Sequence, residues 1–260
     1  MHRQARADAL VRATLSLVDG DLRTHYVASL ARTWRIEALA ETLDVVCERA
    51  EQAEATAREA LIAIVDALNG EGMDALVQRL REQAAGESLL ALERLVRLPP
   101  RSHRPTSSVP PREESERERP GRSAPLGERK SLARRPDRDT LHRMLRDPHP
   151  DVIRRCLANP LLVEDDVIRL GARRPGRAEV LAEIARSSWV HRPRVRMTLV
   201  MNPATPLEVV VRLVGLLLRP ELAMAARSPG VPAPVRAICL EHLERRPPIH
   251  EREPSEPDLH

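Results

Sequence analysis

The sequence predicts an all-α protein, and three observations carry that expectation. Only Trp34, Trp189 and Tyr26 are aromatic among 260 residues, and phenylalanine is absent. Strands draw heavily on aromatic and β-branched side chains, so this composition disfavours a β-rich fold. The apolar 42% of the chain must therefore build its core from Leu, Val, Ile and Ala, which suits helices. Proline is also segregated: none falls in 1–98, eight in 99–139, eleven in 140–246 and four in 247–260.

These proline boundaries define four segments. Residues 1–98 read as a helical bundle or coiled-coil-like domain with a net charge of −4. Its strongest feature is one long heptad-like helix from Ile36 to about Leu68. Along it Ile36, Leu39, Leu43, Val46, Ala50, Ala53, Ala57, Ala60 and Ile64 recur at alternating spacings of three and four. Asn69-Gly70-Glu71-Gly72 then stops it, glycine serving after the last periodic residue. Such a seam is satisfied either by packing inside an intramolecular bundle or by a homodimeric coiled coil through residues 36–68. Residues 99–139, rich in Pro, Ser, Glu and Arg, hold too little apolar surface to offset their ordering entropy and read as a disordered linker. The tail 247–260 has the same character.

Residues 140–246, with a net charge of +7, carry an internal repeat. Val152–Pro160 (VIRRCLANP), Val195–Pro203 (VRMTLVMNP) and Val235–Leu240 (VRAICL) align on their first valine. Cys156, Leu199 and Cys239 then coincide, as do Leu157, Val200 and Leu240. The Asn159-Pro160 and Asn202-Pro203 pairs match, and each is followed by a similar block, Val167–Leu170 and Val210–Leu213. Pro150, Pro193, Pro206, Pro220 and Pro234 precede apolar runs, where a missing N–H costs nothing. Thr205-Pro206-Leu207-Glu208 reads as a capping box. Units of about 40 residues with two or three short helices cannot hide their apolar faces alone and must stack.

Units of the NPATPLEVVVRLVGLL kind, preceded by VRMTLVMNP, resemble the HEAT-like and leucine-rich-repeat-variant α-solenoids of bacteria. The resemblance covers residues 140–246 and implies a right-handed stack of helices without a sheet. No cysteine-rich iron–sulfur segment and no aromatic-rich cleft with an acidic residue accompanies it, so it brings no cofactor and no glycosylase chemistry.

The remaining candidates are surface residues. Arg169 and Arg212 are repeat-equivalent, as are Arg196 and Arg236, so they are expected to form a basic ridge along one face. Trp189, with Arg192 and Arg194 beside it, reads either as a wedge between units or as an aromatic–arginine contact patch. Cys47, Cys156 and Cys239 read as packing residues, with neither disulfide nor metal spacing. His142, Asp147, His149 and Asp151 match no ligand motif and read as a turn whose Asp147 or His149 caps the next helix. No nucleophile elbow, phosphate loop, dinucleotide fingerprint or zinc-protease motif occurs. The lack of aromatic platforms disfavours recognition of single strands by stacking. No run approaches a membrane span, and the N-terminus lacks a signal-peptide pattern, so the chain is expected to be cytoplasmic. The expected function is a non-enzymatic protein–protein interaction scaffold or adaptor that grips an acidic protein partner, without cofactor or metal. Nucleic-acid binding through the basic face is the alternative.

Overall fold

The computed structural model describes residues 2–97 and 124–246. Among these residues all regular structure is helical, with fifteen α-helices, one 3₁₀ turn and no strand. The first half contains α1 (His2–Ser16), α2 (Gly20–Thr33), α3 (Ile36–Glu51), α4 (Ala55–Asn69), α5 (Asp74–Gly86) and α6 (Leu90–Val96). The expected long helix is two helices. The Gln52 N–H bonds Glu48 O at 3.0 Å, Ala53 takes φ +65°, and the Glu54 N–H returns to Arg49 O at 3.1 Å. Arg49 fastens this corner by donating to both carboxylate oxygens of Glu54 at 2.6 Å and to Asp8 at 2.7 Å. The chain thereby folds back on itself, and α3 packs on α4, α1, α5 and α6. Leu39, Leu43, Val46, Ala50, Ala57, Ala60 and Ile64 of the seam are all buried in this chain's own core, as packing inside an intramolecular bundle requires. The α4 helix does end at Asn69, with Gly70 as its cap. Asp44 accepts the Ala91 and Leu92 N–H groups at 3.0 Å each, satisfying the start of α6.

The second half contains α7 (Leu126–Leu132), α8 (Arg138–Met144), α9 (Pro150–Leu157), α10 (Glu164–Gly171), α11 (Ala178–Ala185), a 3₁₀ turn (Ser188–His191), α12 (Pro193–Met201), α13 (Leu207–Leu216), α14 (Arg219–Arg227) and α15 (Ala233–Arg245). The linker boundary at 139 is set too late, because α7 and the start of α8 lie within 99–139. Ion pairs Arg129–Asp147 at 2.7 Å and Lys130–Asp151 at 2.5 Å hold α7 against the corner between α8 and α9, and Asp137 caps α8 by accepting Thr140 N–H at 2.8 Å. Residues 99–123 of the expected linker and the whole of the expected tail lie outside the described residues.

The nine helices α7–α15 fall into three triplets, and one contact joins the first to the third helix in each. Asn159, after α9, donates to Ala133 O and Arg135 O at 2.9 Å and accepts Leu161 N–H at 3.0 Å. Asn202, after α12, donates to Gly171 O at 2.7 Å and Arg173 O at 3.1 Å and accepts Ala204 N–H at 3.0 Å. Each asparagine clamps carbonyls that the ended helix α7 or α10 leaves without intrahelical partners. In the third triplet the corresponding residue is His242, and Arg246 reaches Gly215 O at 2.8 Å and Leu217 O instead. The aligned core positions agree in depth: Val152, Val195 and Val235, and Cys156, Leu199 and Cys239, are all buried. Leu240 departs from this pattern and is 52% exposed, unlike Leu157 and Val200. Pro150 and Pro193 open their helices, and Pro220 and Pro234 stand second. The expected capping box at Thr205 does not form. The Thr205 hydroxyl donates to Leu199 O at 2.6 Å, drawn inward by that terminal carbonyl.

The two halves share one continuous core and do not form separately tethered bodies. Helices α4 and α6 pack on α13, and α2 and α4 on the 3₁₀ turn. Gly215 lets α13 approach Leu95, whose Cδ1 would lie 3.4 Å from an added Cβ. Polar contacts surround this seam: His191 Nε2 lies 3.1 Å from Asp66 Oδ2, Arg154 pairs with Glu71 at 3.0 Å, and Arg97 with Glu241 at 2.8 Å. A net-acidic head meeting a net-basic partner is favourable, and closing a long connection costs only logarithmically in its length. Among the described residues, no helix is long and apolar enough to cross a membrane.

Candidate docking groove

The expected basic ridge is not assembled. Arg169 is an exposed residue of α10, its side chain 74% accessible, with Asp166 at 3.7 Å. Its equivalent Arg212, on α13, lies under the head and donates from Nε to Asn69 Oδ1 at 2.5 Å. Burial there pushes the Arg212 pKa below its ordinary value. The head packs on α13 around Arg212 and leaves Arg169 on α10 exposed, so sequence equivalence does not give the two arginines a common surface. Arg196 and Arg236 remain equivalent in a different role. Each turns back onto the preceding loop, Arg196 donating to Val190 O at 3.0 Å and His191 O at 2.9 Å, and Arg236 to Val231 O at 3.1 Å. Trp189 is half-buried and donates from Nε1 to Leu157 O at 2.9 Å, which makes it a wedge between the first and second triplets. Arg192 and Arg194 are exposed, and Arg194 reaches Asp165 at 3.1 Å.

Two single reversals separate these roles. Arg169→Glu should leave the melting temperature nearly unchanged, since exposed substitutions usually stay within about 0.5 kcal/mol. Arg212→Glu should destabilise by about 1.5 kcal/mol or more, the range for a hydrogen bond to a charged group. Thermal unfolding of both variants checks this, and equal melting temperatures would show that Arg212 carries no part of the head contact.

Other candidate clusters are occupied by internal partners. His149 Nδ1 accepts Asp151 N–H at 3.1 Å and so caps α9, as one of the two expected alternatives. Asp147 and Asp151 face Arg129 and Lys130, while His142 lies 3.5 Å from Asp166. The three cysteines are free and buried. Burial pushes the Cys156 thiol up to about 12 and the Cys239 thiol to about 11. Thiolate is therefore scarce at neutral pH, and both remain unreactive packing groups.

A surface groove of about 430 Å³ opens between α10, α12 and α14. Ile168 and Ala172 form one wall, Met197 and Met201 the other, and Met224 stands at the edge with 58% exposure. Ile168/Ala172 and Met197/Met201 are each four residues apart, so each wall is a ridge running along its helix. The polar lining groups already have partners within the chain. Thr198 Oγ1 donates to Arg194 O at 2.8 Å, Glu221 accepts Leu218 N–H at 2.6 Å, and Asn202 serves its clamp. What remains for an occupant is an apolar trough with Arg174 and Arg194 at its rim. Arg174 also donates to Met201 O at 2.9 Å. Its neighbour Arg173 bonds Leu145 O at 2.6 Å and lies close enough to Arg146 for that charge, after burial, to lower its pKa. Sequence reading missed this groove. Its one signal was that three of the chain's six methionines fall at 197, 201 and 224.

Comparison with known proteins returns no match to a family model, to a curated protein or to a solved structure.

Proposed function

We propose that this protein is a non-enzymatic interaction adaptor whose second half is a HEAT-like helical stack that docks a partner protein in the methionine-lined groove. The observation that carries the reading is an open trough whose polar wall groups are already satisfied, so that apolar contact is the interaction left to offer. Methionine suits this use because its flexible, polarisable thioether adapts to differently shaped partners. The head's α4 and α6 pack on α13, which contributes no residue to the groove lining. The free thiols fit a reducing, cytoplasmic setting.

The alternative is binding to nucleic acid, and Arg146 and Arg173 favour it as neighbouring cations. Site-directed cross-linking separates the two. Because the native thiols are buried, Met224→Cys supplies a single reactive one, to which a benzophenone maleimide can be attached. Irradiation in extract of the cells that make the protein should give discrete protein adducts from position 224. Leu90→Cys, exposed on α6 of the head, should not give them. Equal adducts from both positions, no protein adduct from 224, or adducts to nucleic acid would each overturn the reading.

A further inference from the structure

The proposed docking site leaves its occupant unspecified, and the wall geometry narrows the choice. Two facing ridges of four-residue spacing leave a groove of the kind that another helix fills with its own ridge. Ala172 lowers one wall, permitting close approach, and Met197, Met201 and Met224 supply deformable contact on the other side. An extended segment would instead need unpaired backbone groups to bond along its length. Among the described residues the groove wall presents no strand edge, and the Met201 carbonyl at its rim is already taken by Arg174.

Charge sets the second constraint. The rim carries two cations, Arg174 and Arg194, and one carboxylate, Glu221. Asp165 engages Arg194, and Glu221 is held by the Leu218 N–H. Among the described residues Arg174 has no carboxylate within ion-pair distance, so the cation at this end of the trough is uncompensated. Complementary charge favours the approach of an acidic partner and opposes a basic one.

Resting on the docking reading above, we propose that the groove receives an acidic amphipathic helix of a partner protein. Its apolar residues, spaced i, i+4, would lie between Ile168/Ala172 and Met197/Met201, with an acidic flank toward Arg174.

The test is selection of random 20-residue peptides displayed on phage against the full chain, followed by anisotropy titration of the enriched peptides. Enriched peptides should carry net negative charge and large apolar residues at i, i+3 or i+4, and i+7. Their affinity should fall at least tenfold with Met224→Glu and with Arg174→Glu, both at exposed positions. Circular dichroism of each variant establishes that it remains folded, and Met224→Ala, a milder truncation, should also weaken binding. Peptides that need Met224 but are neutral or basic, or whose apolar residues alternate, would overturn the acidic-helix inference and leave the groove standing. Peptides indifferent to Met224, or no enrichment at all, would overturn the docking reading as well.

Discussion

Leu199→Asp should unfold the second half of the protein. Leu199 is fully buried in α12 at the position shared with Cys156 and Cys239. A carboxylate there would be desolvated within the hydrophobic core. Burying an unpaired charge belongs to the most destabilising class of substitutions, so the expected cost is more than about 4 kcal/mol. Because the halves share one core, the head should lose its thermal transition together with the triplets. Cys156→Ala and Cys239→Ala remove one small atom each and should remain folded with far milder shifts. Melting curves of the three variants check the contrast, and a stable Leu199→Asp protein would refute the burial assigned to this position.

Asn202→Ala should produce the second-largest loss. It strips a buried side chain that serves Gly171 O, Arg173 O and Ala204 N–H together, leaving each without that partner. A cost on the order of 3 kcal/mol follows from the penalty for unmet buried groups. The third triplet offers the converse case. His242 occupies the clamp position, is buried, and finds no partner for Nδ1 or Nε2 among the described residues. Burial first, then Arg246, Arg97, Arg94 and Arg245, push its pKa down to about 3 from the ordinary 6.5. The folded state thus binds this proton less readily than the unfolded chain. The associated stability is present above pH 6.5 and is lost progressively as pH falls toward 3. His242→Leu should be neutral or stabilising at pH 7 and should flatten the acid limb of the stability profile. Urea titrations at pH 7 and pH 4 measure both effects; an unchanged acid limb would remove His242 from its cause.

The helical class and the recurrence of Val152, Val195 and Val235 were legible in sequence because apolar spacing directly encodes which helix face is buried. The break at Ala53 was not. A three–four spacing reads the same whether a helix runs straight or folds back upon itself, and the corner is held by Arg49, Glu54 and Asp8 from separate places in the chain. The clamp was half legible: Asn159 and Asn202 matched between the repeats, while their carbonyl partners lie 24 to 31 residues away. The Arg169–Arg212 ridge failed because sequence equivalence fixes position within a triplet and says nothing of what covers it. The groove is assembled from three helices, so Met224 carried no visible relation to Met197 and Met201 until the triplets were packed.

Docking of the head on the triplets underlies the whole account, since it hides Arg212 and leaves the methionine groove on an open face. The two tryptophans make it measurable, one in each half. Trp34→Phe leaves Trp189 as the sole reporter, and Trp189→Phe leaves Trp34. Urea unfolding of each variant, followed by tryptophan fluorescence and by helicity, should give a single transition in which both signals share one midpoint. A Trp34 signal that unfolds at a different urea concentration from the helicity of the same variant, or a two-step helicity curve, would contradict the shared core.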